Sequence, residues 1–214
     1  MSTNLYHFYH FHADGQWLEP ASDHFRALQE SGLLEALDGL YIGFVGNDDN
    51  IAKAIEWLDA YGKPYTIVSR VLEGFEQETL DHLSDFSKEN DGYVLYGHTK
   101  GAGYPVPISM PWRKSMIWYT IMLWRECVTH LDNGYTTVGS HWFQRGGPEH
   151  LEWPFWGGTY WWAHLKDLRL LDRPTRNARY DAEHWIGELQ RHMVINQFDM
   201  NPNPIAPVYL KYDW

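Results

Sequence analysis

Short apolar runs alternate with helical patterns through the first half of the chain, and this alternation restricts the fold more than any other feature. Four runs rich in aromatic and β-branched residues are interpreted as buried strands, at residues 5–11, 41–45, 65–68 and 93–96. Between them, apolar residues recur at helical spacing in residues 23–29, 51–60 and 75–86. Because this order joins parallel strands through right-handed crossovers, we predict an α/β fold with a mostly parallel, Rossmann-type sheet flanked by helices.

The second half of the chain departs from this alternation. Its spacing predicts one long helix over residues 112–131, then a strand after Gly134 and a loop rich in glycine and proline. A short helix is predicted to begin near Tyr160, and another over residues 181–190. Since the chain has neither repeats nor a linker, we predict one domain over residues 1–214, whose two halves meet near residue 104.

Charge and composition narrow the classes of partner. The 214 residues include 17 Lys and Arg against 28 Asp and Glu, a formal net charge of −11. An extended nucleic-acid or anionic-membrane surface is therefore not expected, although one local basic pocket could bind a small anion. No signal peptide and no apolar run long enough to span a membrane is evident, and Cys127 is the single cysteine. These features predict a cytoplasmic protein.

Aromatic residues are abundant and clustered. The chain has 12 Trp, 14 Tyr and 9 Phe, and six aromatic residues lie between Trp153 and Trp162. Such side chains fill protein cores, and their flat faces also stack on sugar rings and nucleobases. Core packing is the simpler interpretation for any single tryptophan, whereas the clustering favours a wall of a binding site.

Residues 95–103, Leu-Tyr-Gly-His-Thr-Lys-Gly-Ala-Gly, are the most informative segment for function. The fourth predicted strand runs directly into His98 and Lys100, and three glycines free the surrounding backbone. Ligands of open α/β sheets bind at the carboxyl ends of strands. We therefore predict that a phosphorylated ligand binds here, with Lys100 as a point charge.

Other candidate residues have two interpretations each. His10 and His12 share a face of the first strand and could border a base or ribose pocket; a metal site with His7 would need further ligands. Arg113 could bind a diphosphate or form an ordinary ion pair. Glu183 could be a general base or could stabilise the start of its helix.

Several well-known motifs are absent from the sequence. There is no Gly-x4-Gly-Lys-Ser/Thr phosphate loop, no Gly-x-Gly-x-x-Gly after the first strand and no Gly-x-Ser-x-Gly elbow. No zinc-binding spacing of Cys and His occurs either. These absences disfavour P-loop kinases, dinucleotide-dependent enzymes and α/β-hydrolases.

Four segments together resemble bacterial or phage glycosyltransferases of the surface-polysaccharide type, which are related to the GT-A superfamily. The segments are Tyr-Gly-His-Thr-Lys-Gly-Ala (96–102), Trp-Arg (112–113), Phe-Trp-Gly-Gly-Thr-Tyr-Trp-Trp-Ala (155–163) and Ala-Glu-His-Trp-Ile-Gly (182–187). The opening segment through Trp17 and Gly-Phe-Val-Gly at 43–46 are also similar, so the resemblance covers most of residues 4–190.

The resemblance implies a GT-A-like fold with a nucleotide-binding half (about 1–104) and an acceptor half (about 105–214). It implies a nucleotide-diphosphate sugar as donor substrate, transferred to a hydroxyl of a glycan, a protein or another surface component. GT-A enzymes usually bind Mn²⁺ or Mg²⁺ through an Asp-x-Asp motif after the strand that here ends at Tyr96. His98-Thr99-Lys100 stands at that position, so Lys100, with Arg113, is the alternative to a metal for neutralising the leaving diphosphate.

The resemblance also suggests roles for individual residues. His98 and Lys100 would contact the donor phosphates, and Glu183 would act as the base. Gly157, Gly158 and Thr159 would form a wall near the transferred sugar, and Trp161 and Trp162 would line a sugar pocket. The alternative from another class is a non-catalytic carbohydrate-binding protein, and an enzyme acting on DNA is a third hypothesis that the acidic charge disfavours.

Overall fold

The computed structural model describes residues 3–103, 107, 109–143, 155–175, 181–189 and 194–196. Nine strands are assigned within these ranges: β1 (Leu5–His12), β2 (Gly39–Val45), β3 (Thr66–Val71), β4 (Tyr93–His98), β5 (Thr137–Gly139), β6 (Trp142–Phe143), β7 (Phe155–Trp156), β8 (Trp161–His164) and β9 (Val194–Asn196). Eight α-helices accompany them: α1 (Leu18–Glu30), α2 (Leu33–Ala36), α3 (Asp48–Asp59), α4 (Gln77–Glu89), α5 (Ser109–Ile117), α6 (Trp124–Asp132), α7 (Leu165–Leu168) and α8 (Asp181–Trp185).

Seven of the strands form one sheet in the order β3-β2-β1-β4-β8-β5-β9. Strands β1 to β4 are parallel to one another, β8 is antiparallel to both β4 and β5, and β9 is parallel to β5. Strands β6 and β7 form a separate antiparallel pair. The predicted α/β class, a mostly parallel sheet flanked by helices, is therefore confirmed.

Two hydrophobic cores lie on opposite faces of this sheet. Alternate residues of β1 supply both of them, because successive side chains on a strand point to opposite faces. Tyr9 and Phe11 pack with residues of α1, α3, α5 and α6, whereas Tyr6 and Phe8 pack with residues of α4, α7 and α8. Burial on both faces explains why β1 is an almost uninterrupted run of aromatic and histidine residues.

The long helix predicted over residues 112–131 is interrupted. Helix α5 ends at Ile117, a π-helical turn covers Trp118–Met122, and α6 begins at Trp124. The Trp162 indole from β8 donates a 2.7 Å hydrogen bond to the Thr120 carbonyl in this turn. Insertion of a side-chain partner into the helical hydrogen-bond ladder is a common cause of such irregularities.

Other boundaries also differ from the sequence predictions. The helix predicted near Tyr160 is wrong, because Trp161–His164 forms strand β8 between β4 and β5. Helix α1 begins at Leu18 rather than near residue 23, and α8 gives way to a 3-10 turn over Ile186–Leu189. The predicted glycine- and proline-rich loop and the division near residue 104 lie outside the described residues.

Candidate active site at the carboxyl end of β4

A tight turn over residues 98–103, here called the β4 turn, continues β4 beyond the carboxyl edge of the sheet. The Lys100 amide donates to the His98 carbonyl at 2.8 Å, and the Ala102 amide donates to the Thr99 carbonyl at 3.0 Å. Gly101 has a φ of +90°, which glycine adopts without strain. The Thr99 hydroxyl accepts a hydrogen bond from the His12 amide at 2.8 Å, so the turn is fixed to the end of β1.

Lys100 lies at the centre of the site. Its ammonium is 4.5 Å from the centroid of the Trp112 ring, a distance suited to a cation–π interaction. Burial raises the pKa of the Glu76 carboxyl and lowers that of the His141 imidazole; the Lys100 charge offsets part of the first shift and adds to the second, so both groups lie within its electrostatic reach. The lysine is half-buried, and its charge is therefore only partly screened by solvent.

Glu76, just before α4, was not identified from the sequence. One oxygen of its carboxyl lies 3.2 Å from His98 Nδ1 and accepts a 3.4 Å hydrogen bond from the Thr159 hydroxyl. Burial is the main reason that its pKa rises to about 8, and the charge of Glu183 raises it further. Glu76 is therefore largely protonated at neutral pH. Its sequence signal was a carboxylate shortly after the third parallel strand.

Glu183 on α8 joins this group through its charge. The side chain is half-buried, and its charge adds to the rise that burial produces in the pKa of Glu76, so the two carboxyls lie within electrostatic reach of each other. When two carboxyl groups share a site, the second ionises with difficulty. The structure thus brings together Glu183, His98, Lys100 and Thr159 from the predicted residues and adds Glu76; these five residues are called the Glu76 cluster below.

Backbone strain is concentrated beside the Glu76 cluster. Thr159 has a φ of 56° and His141 a φ of 63°, both in the left-handed region that non-glycine residues rarely adopt. Gly158 has a φ of 83°, and a Cβ atom there would lie 2.6 Å from the Met116 sulfur. The Gly157 amide donates to the His141 carbonyl at 3.0 Å and connects these segments. Such strain persists where surrounding contacts enforce it, and it is typical of functional sites.

Arg113 does not face an open phosphate site. Its guanidinium is 3% exposed, donates to Asp23 at 2.6 Å and 3.0 Å, and donates to Glu19 at 2.8 Å. It also donates to the Lys100 carbonyl at 3.2 Å. The predicted diphosphate contact is therefore corrected to an ion pair that supports the β4 turn. Arg113, Asp23 and Glu19 are called the Arg113 cluster below.

The tryptophans predicted to line a sugar pocket are core residues. Trp161 and Trp162 are both 0% exposed, on opposite faces of β8. Trp161 stacks on Tyr96 in one core, and Trp162 packs in the other. Because β8 is an interior strand, neither ring reaches solvent. This prediction is corrected, and the aromatic clustering reflects packing on both faces of the sheet.

The two histidines of β1 have different surroundings. His10 is buried, and its Nδ1 lies 2.8 Å from the Thr79 hydroxyl of α4. Burial lowers its pKa to about 3, so it is a neutral core residue and the predicted base or ribose contact is corrected. His12 is half-buried and lies against the β4 turn, because a Cβ atom on Gly103 would be 2.9 Å from its Nε2. His12 remains a candidate for ligand contact.

The donor set does not fit a divalent cation. Mg²⁺ and Mn²⁺ prefer several carboxylate or carbonyl oxygens, whereas this site presents a lysine ammonium and a carboxyl whose pKa is about 8. Across the described ranges, no three His, Cys, Asp or Glu side chains are grouped so that they could hold a metal ion. We therefore derive no step through a metal.

No family model and no curated protein matches the chain. Solved structures are similar at low identity. A 4-diphosphocytidyl-2C-methyl-D-erythritol synthase from Anaerococcus prevotii aligns with 97% of this chain and 95% of its own, at 8% identity and a TM-score of 0.49. Another crystal structure of a synthase of that name aligns over 98% and 97%, at 13% identity and a TM-score of 0.44.

A third similar structure is that of a glucosyl-3-phosphoglycerate synthase from Mycobacterium tuberculosis in complex with Mn²⁺, UDP and phosphoglyceric acid. It covers 78% of this chain and 57% of its own, at 15% identity and a TM-score of 0.46. Since all three TM-scores lie below 0.5, these similarities do not assign an activity to the chain. Within the described residues, no helix combines the length and apolar character needed to cross the bilayer.

Proposed function

We propose that the chain is a nucleotide-sugar-dependent glycosyltransferase whose donor diphosphate binds at the β4 turn. One observation carries this proposal: a half-buried lysine, a carboxyl whose pKa rises to about 8 and a second carboxyl within its electrostatic reach meet at the carboxyl end of a central parallel strand. Ligands bind at that edge in open α/β folds. The resemblance of residues 96–102, 155–163 and 182–187 to bacterial and phage glycosyltransferases supports the same assignment.

Lys100 is the cation that would stabilise the leaving diphosphate. As the bond between the sugar and the diphosphate breaks, negative charge grows on the leaving oxygens, and a fixed cation beside them lowers the barrier. His98, which adjoins Glu76, is the second group in the turn able to donate to a phosphate oxygen. Arg113 acts only indirectly, through the Lys100 carbonyl.

The two carboxyls would divide the acid and base roles. Environments that separate the pKa values of neighbouring carboxyls are a common way to assign such roles. Glu76, with a pKa near 8, keeps its proton and can donate a hydrogen bond, whereas Glu183 is the carboxylate that accepts the proton of the acceptor hydroxyl. The acceptor oxygen then bonds to the anomeric carbon as the diphosphate departs.

A thermal-shift screen tests the proposal against a non-catalytic carbohydrate-binding protein. UDP or GDP should raise the unfolding temperature in a concentration-dependent way, and free sugars alone should not. Stabilisation by free sugars without any response to nucleotides would favour the carbohydrate-binding alternative. The burial of Trp161 and Trp162 removes two members of the aromatic cluster that fitted this alternative, and it removes the same two residues from the sugar pocket predicted for the glycosyltransferase.

A further inference from the structure

Three buried side chains connect two carbonyls of β4 beneath the Glu76 cluster. His7 Nδ1 lies 3.0 Å from the Leu95 carbonyl, and His7 Nε2 lies 2.7 Å from His24 Nε2. His24 Nδ1 lies 3.2 Å from the Tyr160 hydroxyl, which donates to the His98 carbonyl at 2.6 Å. His7, His24 and Tyr160, all 0% exposed, are called the His–Tyr chain.

In its neutral form the His–Tyr chain has fewer hydrogens to donate than it has hydrogen-bond contacts. Its four contacts each need one hydrogen, and both ends are carbonyls, which only accept. Neutral His7 carries one such hydrogen, neutral His24 one and Tyr160 one, which makes three. The Leu95 carbonyl requires the His7 proton on Nδ1, so His24 must donate from Nε2. His24 Nδ1 then presents a lone pair to the Tyr160 oxygen.

The distances agree with this count. The contact between His24 Nδ1 and the Tyr160 oxygen is the longest of the four, and the contact between Tyr160 and the His98 carbonyl is the shortest. One additional proton on the chain would supply the missing hydrogen. His24 would then donate to Tyr160, and the Tyr160 proton would be held on the His98 carbonyl.

That carbonyl belongs to the proposed anion site. It accepts from Tyr160 on one side and from the Lys100 amide, at 2.8 Å, on the other. The absence of a side chain at Gly97 lets the Tyr160 and His24 rings pack against β4 here, because a Cβ atom at Gly97 would lie 3.1 Å from the Tyr160 ring and 3.3 Å from the His24 ring. Any change in the Tyr160 hydrogen bond therefore acts directly on the turn that carries Lys100.

We propose that binding of a diphosphate at the β4 turn and protonation of the His–Tyr chain favour each other, with Tyr160 as the positioning residue that connects the two. The inference rests on the proposed function in taking the β4 turn as the anion site. An anion there is attracted to an imidazolium on the chain, and the completed hydrogen bonds hold the turn in its binding geometry.

Burial keeps the chain neutral before an anion binds. It lowers the pKa of His7 to about 4 and that of His24 well below its usual value, and the charges of His7 and then His98 lower the pKa of His24 further. The other ionisable groups that face the chain are Tyr9, Glu76, Asp23 and Arg113, of which the last two form an ion pair. An anion beside His98 brings a negative charge near His24.

Long-range proton–nitrogen NMR of the histidine rings tests both parts of the proposal. In the free protein at about pH 8, His7 should carry its proton on Nδ1 and His24 on Nε2, with signals assigned through His24→Gln. Saturating UDP, or inorganic pyrophosphate, should raise the proton affinity of the pair by at least about tenfold. Other tautomers in the free protein, or no change with a bound anion, would overturn the proposal.

Two variants separate positioning from general stability. Tyr160→Phe should abolish most of the gain in proton affinity and weaken pyrophosphate binding, whereas Tyr93→Phe, which loses a β4 hydroxyl bonded to Asp132, should keep both. Unchanged coupling in Tyr160→Phe would also overturn the proposal.

If pyrophosphate shows the coupling but UDP and GDP do not bind, the proposed function fails and the coupling stands. If UDP binds without raising the proton affinity of the His–Tyr chain, the proposed function stands and the coupling fails. If no anion binds at all, both fail.

Discussion

The Arg113 cluster and the Glu76 cluster flank the same turn but hold their charges in opposite ways. Arg113 is buried, and each of its contacts is with a carboxylate or a carbonyl. In the Glu76 cluster a carboxyl stays protonated near neutral pH, a lysine lies over an aromatic ring, and a threonine is held in a strained conformation. On our proposal, the first cluster supports the turn and the second performs the chemistry.

Removing the Arg113 ion pair, which supports the β4 turn, should have the largest effect on stability. Arg113→Met leaves Asp23, whose side chain is 11% exposed, without its main partner. We expect a loss of about 3–5 kcal/mol in the free energy of unfolding, the usual cost of breaking a buried ion pair. Chemical denaturation followed by tryptophan fluorescence measures it. The double variant Asp23→Asn/Arg113→Met should recover part of the loss, because no unpaired charge stays buried; a double variant no more stable than Arg113→Met would contradict the ion-pair role.

Lys100→Ala should have the opposite profile, losing activity without losing the fold. Loss of a fixed charge at a developing anion typically costs about 100- to 1000-fold in rate. Transfer from a sugar nucleotide is the readout for activity, and thermal unfolding is the readout for the fold. Lys53→Ala, an exposed lysine on α3, is the matched control and should retain both. Full activity in Lys100→Ala would remove the lysine from the proposed mechanism.

Glu76→Gln should change how stability depends on pH. In the folded protein Glu76 holds its proton up to about pH 8, whereas in the unfolded chain it ionises near the ordinary glutamate pKa of 4.5. The unfolded state therefore binds fewer protons across this window, and wild-type stability falls as pH rises through it. Glutamine does not ionise, so the stability of the variant does not fall in this way. Its free energy of unfolding relative to wild type should rise by on the order of 3 kcal/mol between about pH 5 and pH 8.

Urea denaturation at several pH values provides the measurement for Glu76→Gln. Glu89→Gln, which alters an exposed carboxyl at the far end of the same helix, should follow wild type throughout. If Glu76→Gln also followed wild type at every pH, Glu76 would not be a protonated buried carboxyl. The distinction between the two clusters would then lose its main electrostatic support.

The local parts of the structure were predictable from sequence, and the long-range parts were not. The succession of β1 to β4 along the chain and the position of His98 and Lys100 at a strand end follow from patterns within a few residues. Glu76 was missed because Thr159, which donates to it, and Glu183, whose charge acts on it, follow it by more than 80 residues.

The wrong predictions have the same origin. Arg113 was assigned to phosphate because Asp23, its partner, lies 90 positions earlier in the sequence. Trp161 and Trp162 were assigned to a sugar pocket because nothing local indicates that β8 inserts between β4 and β5. In each case the deciding contact joins the two halves of the chain.

The smallest expected effect isolates the strain in the Glu76 cluster. Thr159→Ala removes the hydroxyl that donates to Glu76 but keeps a side chain at a φ of 56°, whereas Thr159→Gly removes both. Since a left-handed conformation costs a non-glycine residue about 1–2 kcal/mol, Thr159→Gly should be more stable than Thr159→Ala by about 1 kcal/mol, after the flexibility of glycine in the unfolded chain is included. Thermal unfolding of the pair checks this. A glycine variant less stable than the alanine variant would mean that the backbone is not strained at Thr159, and the contrast between the clusters would then depend on electrostatics alone.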